Sequence, residues 1–324
     1  MKHIVGIENI SAPFHNAIVT MGNFDGVHIG HQALFKTVID KAHQINGAAI
    51  AMTFDPHPIK VLRPGEYSFP LITMNEQKFE LISQSGLDYL ITIPFTQSFA
   101  SISANEFIET ILFKRIGAIT LVVGADYSFG KKREGNIDLL NQFGKKLGFD
   151  VIVVPWIPVE SLNNERVSST RIRELVQKGD LYPVQMMLGR YYQVRGSVTH
   201  GRNRGGKLLG FPTANITLSD ELKPAEGVYA VIVEYEHTLY DAVANIGYCP
   251  TFDDNQYTIE VHILDFSKDI YGEAIKVNFI KRLRGEMKFK TPQDLMNQIQ
   301  TDIQTAREIL KSLDKDAMMN NQHE

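Results

Sequence analysis

Cysteine is nearly absent from this chain: its 324 residues include one, Cys249. A lone cysteine makes no internal disulfide, and nothing in the pattern suggests a metal cluster. Long apolar runs are missing too, and none is long enough to span a bilayer. No N-terminal stretch joins a basic start to an apolar segment and a small-residue cleavage site, so the expectation is a cytoplasmic protein. Neither sign of charge dominates. The balance of 33 Lys and Arg against 37 Asp and Glu leaves −4, which gives no general reason to expect nucleic acid or a membrane surface as partner. There is no internal repeat. What is present is ordinary for a soluble globular protein, 44% hydrophobic and 22% charged, and the length suggests two domains.

Residues 17–31, AIVTMGNFDGVHIGH, organise the first half. An apolar run over 18–21 stops at Gly22, a glycine-punctuated polar loop follows, and a helical pattern opens near Gly30 and runs to Gly47. That order predicts a strand, a tight loop and a helix N-terminus. Such an N-terminus presents unpaired N–H groups and a partial positive charge, which favour phosphate. His28 and His31 add donors that can become cationic near neutral pH, and Gly30 between them lets a phosphate approach the backbone. H-x-G-H in this setting resembles the signature of the nucleotidyltransferase superfamily, which moves a nucleoside monophosphate from ATP to an acceptor. Two solvated loop histidines are the plain alternative.

Strand and helix signals then alternate. Strands are expected at 48–54, 88–94, 119–124 and 150–155. Helices are expected after the capping boxes Thr73-Met-Asn-Glu76 and Ser103-Ala-Asn-Glu106, and over 136–147. Continuous apolar strands between amphipathic helices predict a parallel sheet covered on both faces, with ligands beyond the carboxyl ends of its strands. The loops at those ends are unusual. Phe54-Asp-Pro-His-Pro58 is stiffened by two prolines, so Phe54 and His57 could stack on a ring or touch a phosphate, or the segment could be a rigid turn. Asp126 could accept from a ribose or an adenine. Lys131 to Arg133 could meet phosphates or form a solvated face. In Arg166-Val-Ser-Ser-Thr-Arg-Ile-Arg173, Ser168 to Thr170 supply N-cap candidates. Arg171 and Arg173 lie two apart and cannot share a helix face, and Arg173 is the one expected at the site.

G-N-F-D-G-V-H-x-G-H, F-D-P-H-P, V-V-G-x-D-Y-x-F-G and S-S-T-x-I-R, in this order, resemble the FMN adenylyltransferase module of the bacterial bifunctional riboflavin kinase/FAD synthetase family. The resemblance implies an α/β, Rossmann-like nucleotidyltransferase domain that converts ATP and FMN to FAD and pyrophosphate. It implies that His28 and His31 stabilise the ATP phosphates. Gly22, Asn23, Phe24, Asp25, Gly30, Asp126, Arg166, Ser169, Thr170 and Arg173 would belong to the nucleotide site, and Phe54 and His57 to the flavin side. The FMN phosphate would attack the α-phosphorus directly, since no side chain of this half is an obvious covalent nucleophile.

After Gly179 the pattern changes. Residues 181–188 are short and mixed, and strands are expected at 191–200, 227–235, 239–247, 257–264 and 275–280, separated by turn residues. This describes a small antiparallel barrel. A last helix starts at Thr291-Pro-Gln-Asp294, and its stripe of Leu295, Ile299, Ile303, Ala306 and Leu310 should pack on the barrel. Residues 201–207 match G-x-x-x-x-G-K, but Leu208 stands where a P-loop needs Ser or Thr, and Pro212 argues against the required helix. Gly201, Gly206 and Lys207 could still cradle phosphate. Thr213 and Asn215 are neutral oxygen donors suited to Mg²⁺ shared with ATP, or ordinary turn chemistry. Alternation along 257–263 sets Glu260 with Thr258 and His262 on one face. Glu260 is placed to accept a hydroxyl proton, or is a solvent-facing glutamate; His262 is expected at the surface.

G-x-V-x-H-G…L-G-F-P-T-A-N, G-V-Y-A, N-I-G-x-x-P-T-F, E-V-H-I-L-D-F…D-I-Y-G and L-R-G-E-x-K-F resemble the riboflavin kinase module of the same family. That implies attack of riboflavin's terminal hydroxyl on the γ-phosphate of MgATP, with Thr213 and Asn215 serving Mg²⁺, Glu260 as base and Arg284 near the flavin. The expected division is an adenylyltransferase domain at 1–183, a kinase barrel with its helix at 184–312 and a frayed tail at 313–324. A non-catalytic, flavin-binding regulatory barrel stays open as an alternative. So does another acceptor for the first half, such as pantetheine phosphate or nicotinamide mononucleotide; an RNA-binding flavin sensor has no support from the charge balance.

Overall fold

In the computed structural model, residues 1–63, 65, 69–199, 211–217, 220–249, 256–315 and 318 are described, and the chain forms two compact units, Met1–Ser168 and Ser169–Glu324.

The first unit is built on strands β1 (Lys2–Val5), β2 (Ala17–Met21), β3 (Ala49–Asp55), β4 (Tyr89–Pro94), β5 (Ala118–Gly124) and β6 (Asp150–Val154), all parallel, in the order β1-β4-β3-β2-β5-β6, and a short antiparallel pair, β7 (Pro158–Val159) with β8 (Glu165–Arg166), follows in the chain. Every residue of β2 is buried, because both sheet faces are covered. On one face Ala17, Val19 and Met21 pack among Phe107, Ile108, Ile111 and Leu140. On the other, Ile18 packs with Phe35, Val38 and Ala42 of helix α1 (Ile29–Ile45) and with Ile82. The helix Ile137–Leu147 starts on the Asn136 cap and stops at left-handed Gly148, as the pattern predicts.

Three features of this unit differ from expectation. The short edge strand β1 carries too few residues to show a period. The expected helix after Ser103 does start on the Ser103 cap, but Phe107–Ile116 winds as a π-helix. The Thr73 capping box does not form: the helix Asn75–Ser83 has Met74 at its N-cap, and the Thr73 hydroxyl instead accepts the Gly26 N–H at 3.0 Å.

The second unit starts with the helices Ser169–Lys178 and Leu181–Leu188. Pro183 sits in the first turn of the latter, where a missing N–H costs little. A closed antiparallel barrel follows: β9 (Tyr192–Thr199), β10 (Ala214–Thr217), β11 (Gly227–Tyr235), β12 (Thr238–Cys249), β13 (Gln256–Ile263) and β14 (Ala274–Arg284), in the order β10-β13-β12-β11-β14-β9. β11 and β12 are joined through Glu236 and His237, both left-handed (φ 48° and 58°), the conformation of a tight two-residue hairpin turn. β10 is the strand that sequence pattern missed, since four residues behind a proline show no period. β11 is buried along its whole length. Val228, Ala230 and Ile232 face Ala306 and Leu310 of the terminal helix Pro292–Lys311, and the alternate residues fill the barrel. The helix begins with the expected cap, Thr291 and Asp294 bonding each other's backbone. Of the expected tail, 316–317 and 319–324 lie outside the described residues.

The terminal helix is tied to the barrel by charge. Arg284 Nη2 lies 2.8 Å from Asp302 Oδ2, Arg284 Nε donates to both carboxylate oxygens, and Gln298 donates to Oδ1. Both side chains are largely buried. Breaking such a pair strands a buried charge at a cost of about 3–5 kcal/mol, whereas replacing both partners with apolar groups is near neutral. Asp302→Ala is therefore expected to lower the barrel's melting temperature by several degrees in full-chain thermal unfolding, and Arg284→Met with Asp302→Leu to recover most of it. An Asp302→Ala midpoint within 1 °C of the parent would show that the pair carries no stability.

Candidate functional site

The chain winds outward from β2 in one direction through β3 and β4 and in the other through β5 and β6, so the sheet's switch point lies between β2 and β5. Ligands of such sheets bind beyond the carboxyl ends of the strands flanking that point. The loop after β2 is Gly22 to His28, and the loop after β5 contains Asp126.

At the end of the first loop, His28 caps α1. Its Nδ1 accepts the His31 N–H at 3.3 Å, so the ring's own proton sits on Nε2. The His28 and His31 rings stack with centroids 3.6 Å apart and planes 16° from parallel. Gly30 permits this: a Cβ there would stand 3.1 Å from the His28 ring. Gly22 makes similar room, since a Cβ would come within 2.8 Å of Phe24. Two imidazoles thus form one face at the positive end of a 17-residue helix.

The loop is strained and braced. Phe24 and Val27 have left-handed backbones (φ 48° and 40°), a costly conformation for bulky residues. The Val27 carbonyl accepts from Gln32 Nε2 at 2.9 Å, and Val27 N–H donates to Phe24 O at 3.1 Å. Phe24 and Asp25, expected at the nucleotide, turn inward. Phe24 is 1% exposed and packs edge-on against His31 and Phe35. Asp25 is 3% exposed; its Oδ1 accepts the N–H groups of Ile72 at 3.0 Å and Thr73 at 3.1 Å. Phe24 touches the His31 ring, and Asp25 braces the loop's frame. The Asn23 carbonyl accepts from the Thr53 hydroxyl of β3 at 3.2 Å, fastening the loop to the next strand.

In the F-D-P-H-P loop, Phe54 is half-buried in a cluster with Phe95 and Phe99. His57 caps the turn Pro58–Leu62 through Nδ1, and its ring stacks on Phe69 at 4.9 Å. Sequence reasoning missed Lys78 of the helix Asn75–Ser83. It is 4% exposed, and its ammonium donates to the Phe54 carbonyl at 3.4 Å. Burial lowers its pKa, while the carboxylates of Asp25 and Asp55 raise it. Its spacing of four from buried Ile82 was the available signal.

Beyond β5 and β6, Asp126 pairs with Arg166, which lies on the strand Glu165–Arg166 paired to Pro158–Val159. The Arg166 guanidinium sits 4.1 Å above the ring of Trp156, another residue the motifs did not flag. In the turn Lys131–Arg133 the side chains are exposed, and Arg133 donates to the Ser128 hydroxyl at 2.7 Å. Ser169, Thr170 and Arg173 lie on the helix Ser169–Lys178 of the second unit.

On the barrel, one register row crosses four strands: Thr199 pairs with Asn215, Asn215 with Glu260, and Glu260 with Asn245. Register partners share a face. Tyr257, Ile259, Val261 and Ile263 are buried, so the row lies on the outer face, with Glu260 half-buried as alternation predicts. Burial pushes the Glu260 carboxyl above its ordinary pKa. Asn245 is the member of the row that sequence reasoning missed. His262, expected only as surface, has Nδ1 2.8 Å from the Pro212 carbonyl and packs edge-on against Phe211, holding the residue before Thr213 to β13. Arg284, expected near the flavin, has its guanidinium committed to Asp302. Gly201, Gly206 and Lys207 lie outside the described residues. No described helix is long and apolar enough to cross a membrane.

Comparison with known proteins gives both halves a family. The FAD synthetase family model matches residues 11–171, and the riboflavin kinase model matches 188–310. A bifunctional riboflavin kinase/FMN adenylyltransferase of Buchnera aphidicola is 37% identical over 306 residues, covering 94% of this chain and 96% of that protein. One from Haemophilus influenzae is 35% identical over 313 residues, covering 96% and 100%. A crystal structure titled as a macrolide-efflux protein from Streptococcus pneumoniae superposes with a TM-score of 0.86 at 33% identity, over 95% of this chain and 99% of that one. By its two family matches and its near full-length relatives, the chain belongs to the bifunctional riboflavin kinase/FMN adenylyltransferase family.

Proposed function

We propose that the enzyme's two activities run on two constellations, the stacked histidines of the first unit and the Asn215–Glu260–Asn245 row of the barrel. The observation that carries the first is the His28–His31 face at the start of α1. His28 Nε2–H, His31 and the first N–H groups of α1 hold the triphosphate of ATP. An oxygen of the FMN phosphate attacks the α-phosphorus; the new P–O bond forms as the bond to the β-phosphate bridging oxygen breaks, and pyrophosphate leaves. The donors stabilise charge on oxygens they already face. Gly22, Asn23 and Gly30 let the backbone approach the nucleotide, Phe24 and Asp25 fix the loop, and Asp126 with Arg166 serves the nucleoside end. Phe54 and His57 address the flavin.

On the barrel, Glu260 accepts the proton of riboflavin's terminal hydroxyl as that oxygen bonds to the γ-phosphorus and ADP departs. Its raised pKa brings it closer to the operating range of a general base. Arg284 serves the flavin end indirectly, by holding the end of β14 to the terminal helix, and Gly201, Gly206 and Lys207 cradle phosphate. Beside Glu260 the available donors are neutral oxygens. Among the described residues no group of three His, Cys, Asp or Glu could hold an ion alone. That fits Mg²⁺, which takes most ligands from phosphate and water. Thr213 and Asn215 would hold the ion, which when bound neutralises phosphate charge. Both reactions consume ATP, which supports a cytoplasmic setting.

His31→Ala is expected to slow FAD formation from supplied FMN by about 10²–10³, as loss of one preorganised charge stabiliser does, with riboflavin phosphorylation unchanged. A loss under tenfold, read by chromatography of the flavins, removes His31 from that role. Glu260→Gln is expected to abolish riboflavin phosphorylation while FMN adenylylation continues. A carboxyl whose folded pKa is raised above its unfolded value is penalised on folding once pH exceeds the unfolded value. The amide escapes that penalty, so the variant's barrel should be no less stable above about pH 5. In the parent, phosphorylation should fall as pH drops through a carboxyl pKa above the ordinary range. A Gln variant that still makes FMN at the parental rate would rule Glu260 out as the base.

A further inference from the structure

Lys78 has no place in the chemistry above, yet burying a lysine costs several kcal/mol unless its charge is used. It belongs to the helix Asn75–Ser83, which touches neither reacting group. That helix is fastened at two points to the two loops that do. At its start, Asp25 of the histidine loop accepts the N–H groups of Ile72 and Thr73, and Gly26 N–H donates to the Thr73 hydroxyl at 3.0 Å. One turn further in, the Lys78 ammonium donates to the carbonyl of Phe54, the first residue of the F-D-P-H-P loop. The carboxylates acting on that ammonium come one from each loop, Asp25 and Asp55. A cation shared between them resists separation of the loops, and at 4% exposure water screens it little.

We infer that Lys78 is a positioning residue for FMN adenylylation, whose ammonium sets the spacing between the histidine loop and the F-D-P-H-P loop, and so between the nucleotide phosphates and the flavin. Adenylyl transfer has no covalent intermediate to tolerate slack, and displacement of one reactant by about 1 Å can cost about 10² in rate. The inference rests on the reading of His28 and His31 as phosphate ligands.

The test uses full-length protein carrying Lys78→Met, which keeps most of the side chain's volume. FAD formation from supplied FMN is expected to drop about 10² in kcat, with KM for ATP within threefold and riboflavin phosphorylation unchanged as the control for an intact chain. Lys78→Arg, which keeps a cation and a donor, should recover part of the loss. A kcat within threefold of the parent in the Met variant overturns the inference. Should that variant lose ATP binding altogether, Asp55→Asn decides, because it removes one carboxylate partner and leaves the helix untouched. A kcat below one tenth with ATP affinity kept sustains the inference, and a kcat within twofold overturns it. If His31→Ala leaves FAD formation intact, the phosphate reading falls on its own, whatever the Lys78 variants do.

Discussion

Asp25 accepts hydrogen bonds from the amides of Ile72 and Thr73, and the same turn receives the Gly26 N–H on the Thr73 hydroxyl. Much of the first unit's site depends on this exchange. The loop after β2 holds left-handed residues at Phe24, Gly26 and Val27, and a free loop would relax out of that conformation. Charge-assisted bonds to two amides in a site 3% exposed to water offset the strain. With the loop held, Phe24 packs beneath His31, His28 caps α1, and the two imidazoles lie against each other. The two imidazoles are thereby held in fixed directions, as the proposed phosphate donors would have to be to accelerate transfer.

The barrel solves the same problem differently. Strand register, rather than a braced loop, lines up Thr199, Asn215, Glu260 and Asn245. A slip of one residue would send Glu260 into the apolar interior and Ile259 outward, so the apolar filling of the barrel itself fixes the carboxylate's direction. β11 shows the other side of this constraint. Its outer face meets the terminal helix, and the Arg284–Asp302 pair clamps that helix where β14 ends. A residue expected at the flavin thereby holds the scaffold, because a guanidinium that is largely buried needs a carboxylate more than it needs a planar ring.

The legible parts of this molecule were those written as local pattern. Continuous apolar runs announced β2 through β6, Gly117 and Gly148 marked helix ends, and Thr291 with Asp294 announced the last helix. H-x-G-H between a strand and a helix located the histidine face. What sequence hid were partnerships between distant segments. Thr73 looked like a cap because Glu76 follows three residues later, but Gly26 competes for its hydroxyl from 47 positions away. Asp25 and Phe24 sat within a binding motif yet face inward, since a motif records that a residue matters and not which way it points. Asn245 lay in a recognisable segment, but its place beside Glu260 follows only from the pairing of β12 with β13.

Lys78 and Glu260 share a physical situation that separates them from the surface charges around them. Each holds an ionisable group in a partly or wholly dehydrated place, and burial shifts each toward its neutral form. A carboxylate so shifted is a better proton acceptor, which is what a general base at Glu260 would need. In the first unit no proton needs to move through Lys78, and the carboxylates of Asp25 and Asp55 oppose the shift. Proton transfer from a hydroxyl calls for a tunable base, whereas attack by an already ionised phosphate calls for geometry. The proposed roles therefore set buried charge to different ends: basicity at Glu260, the spacing of two loops at Lys78.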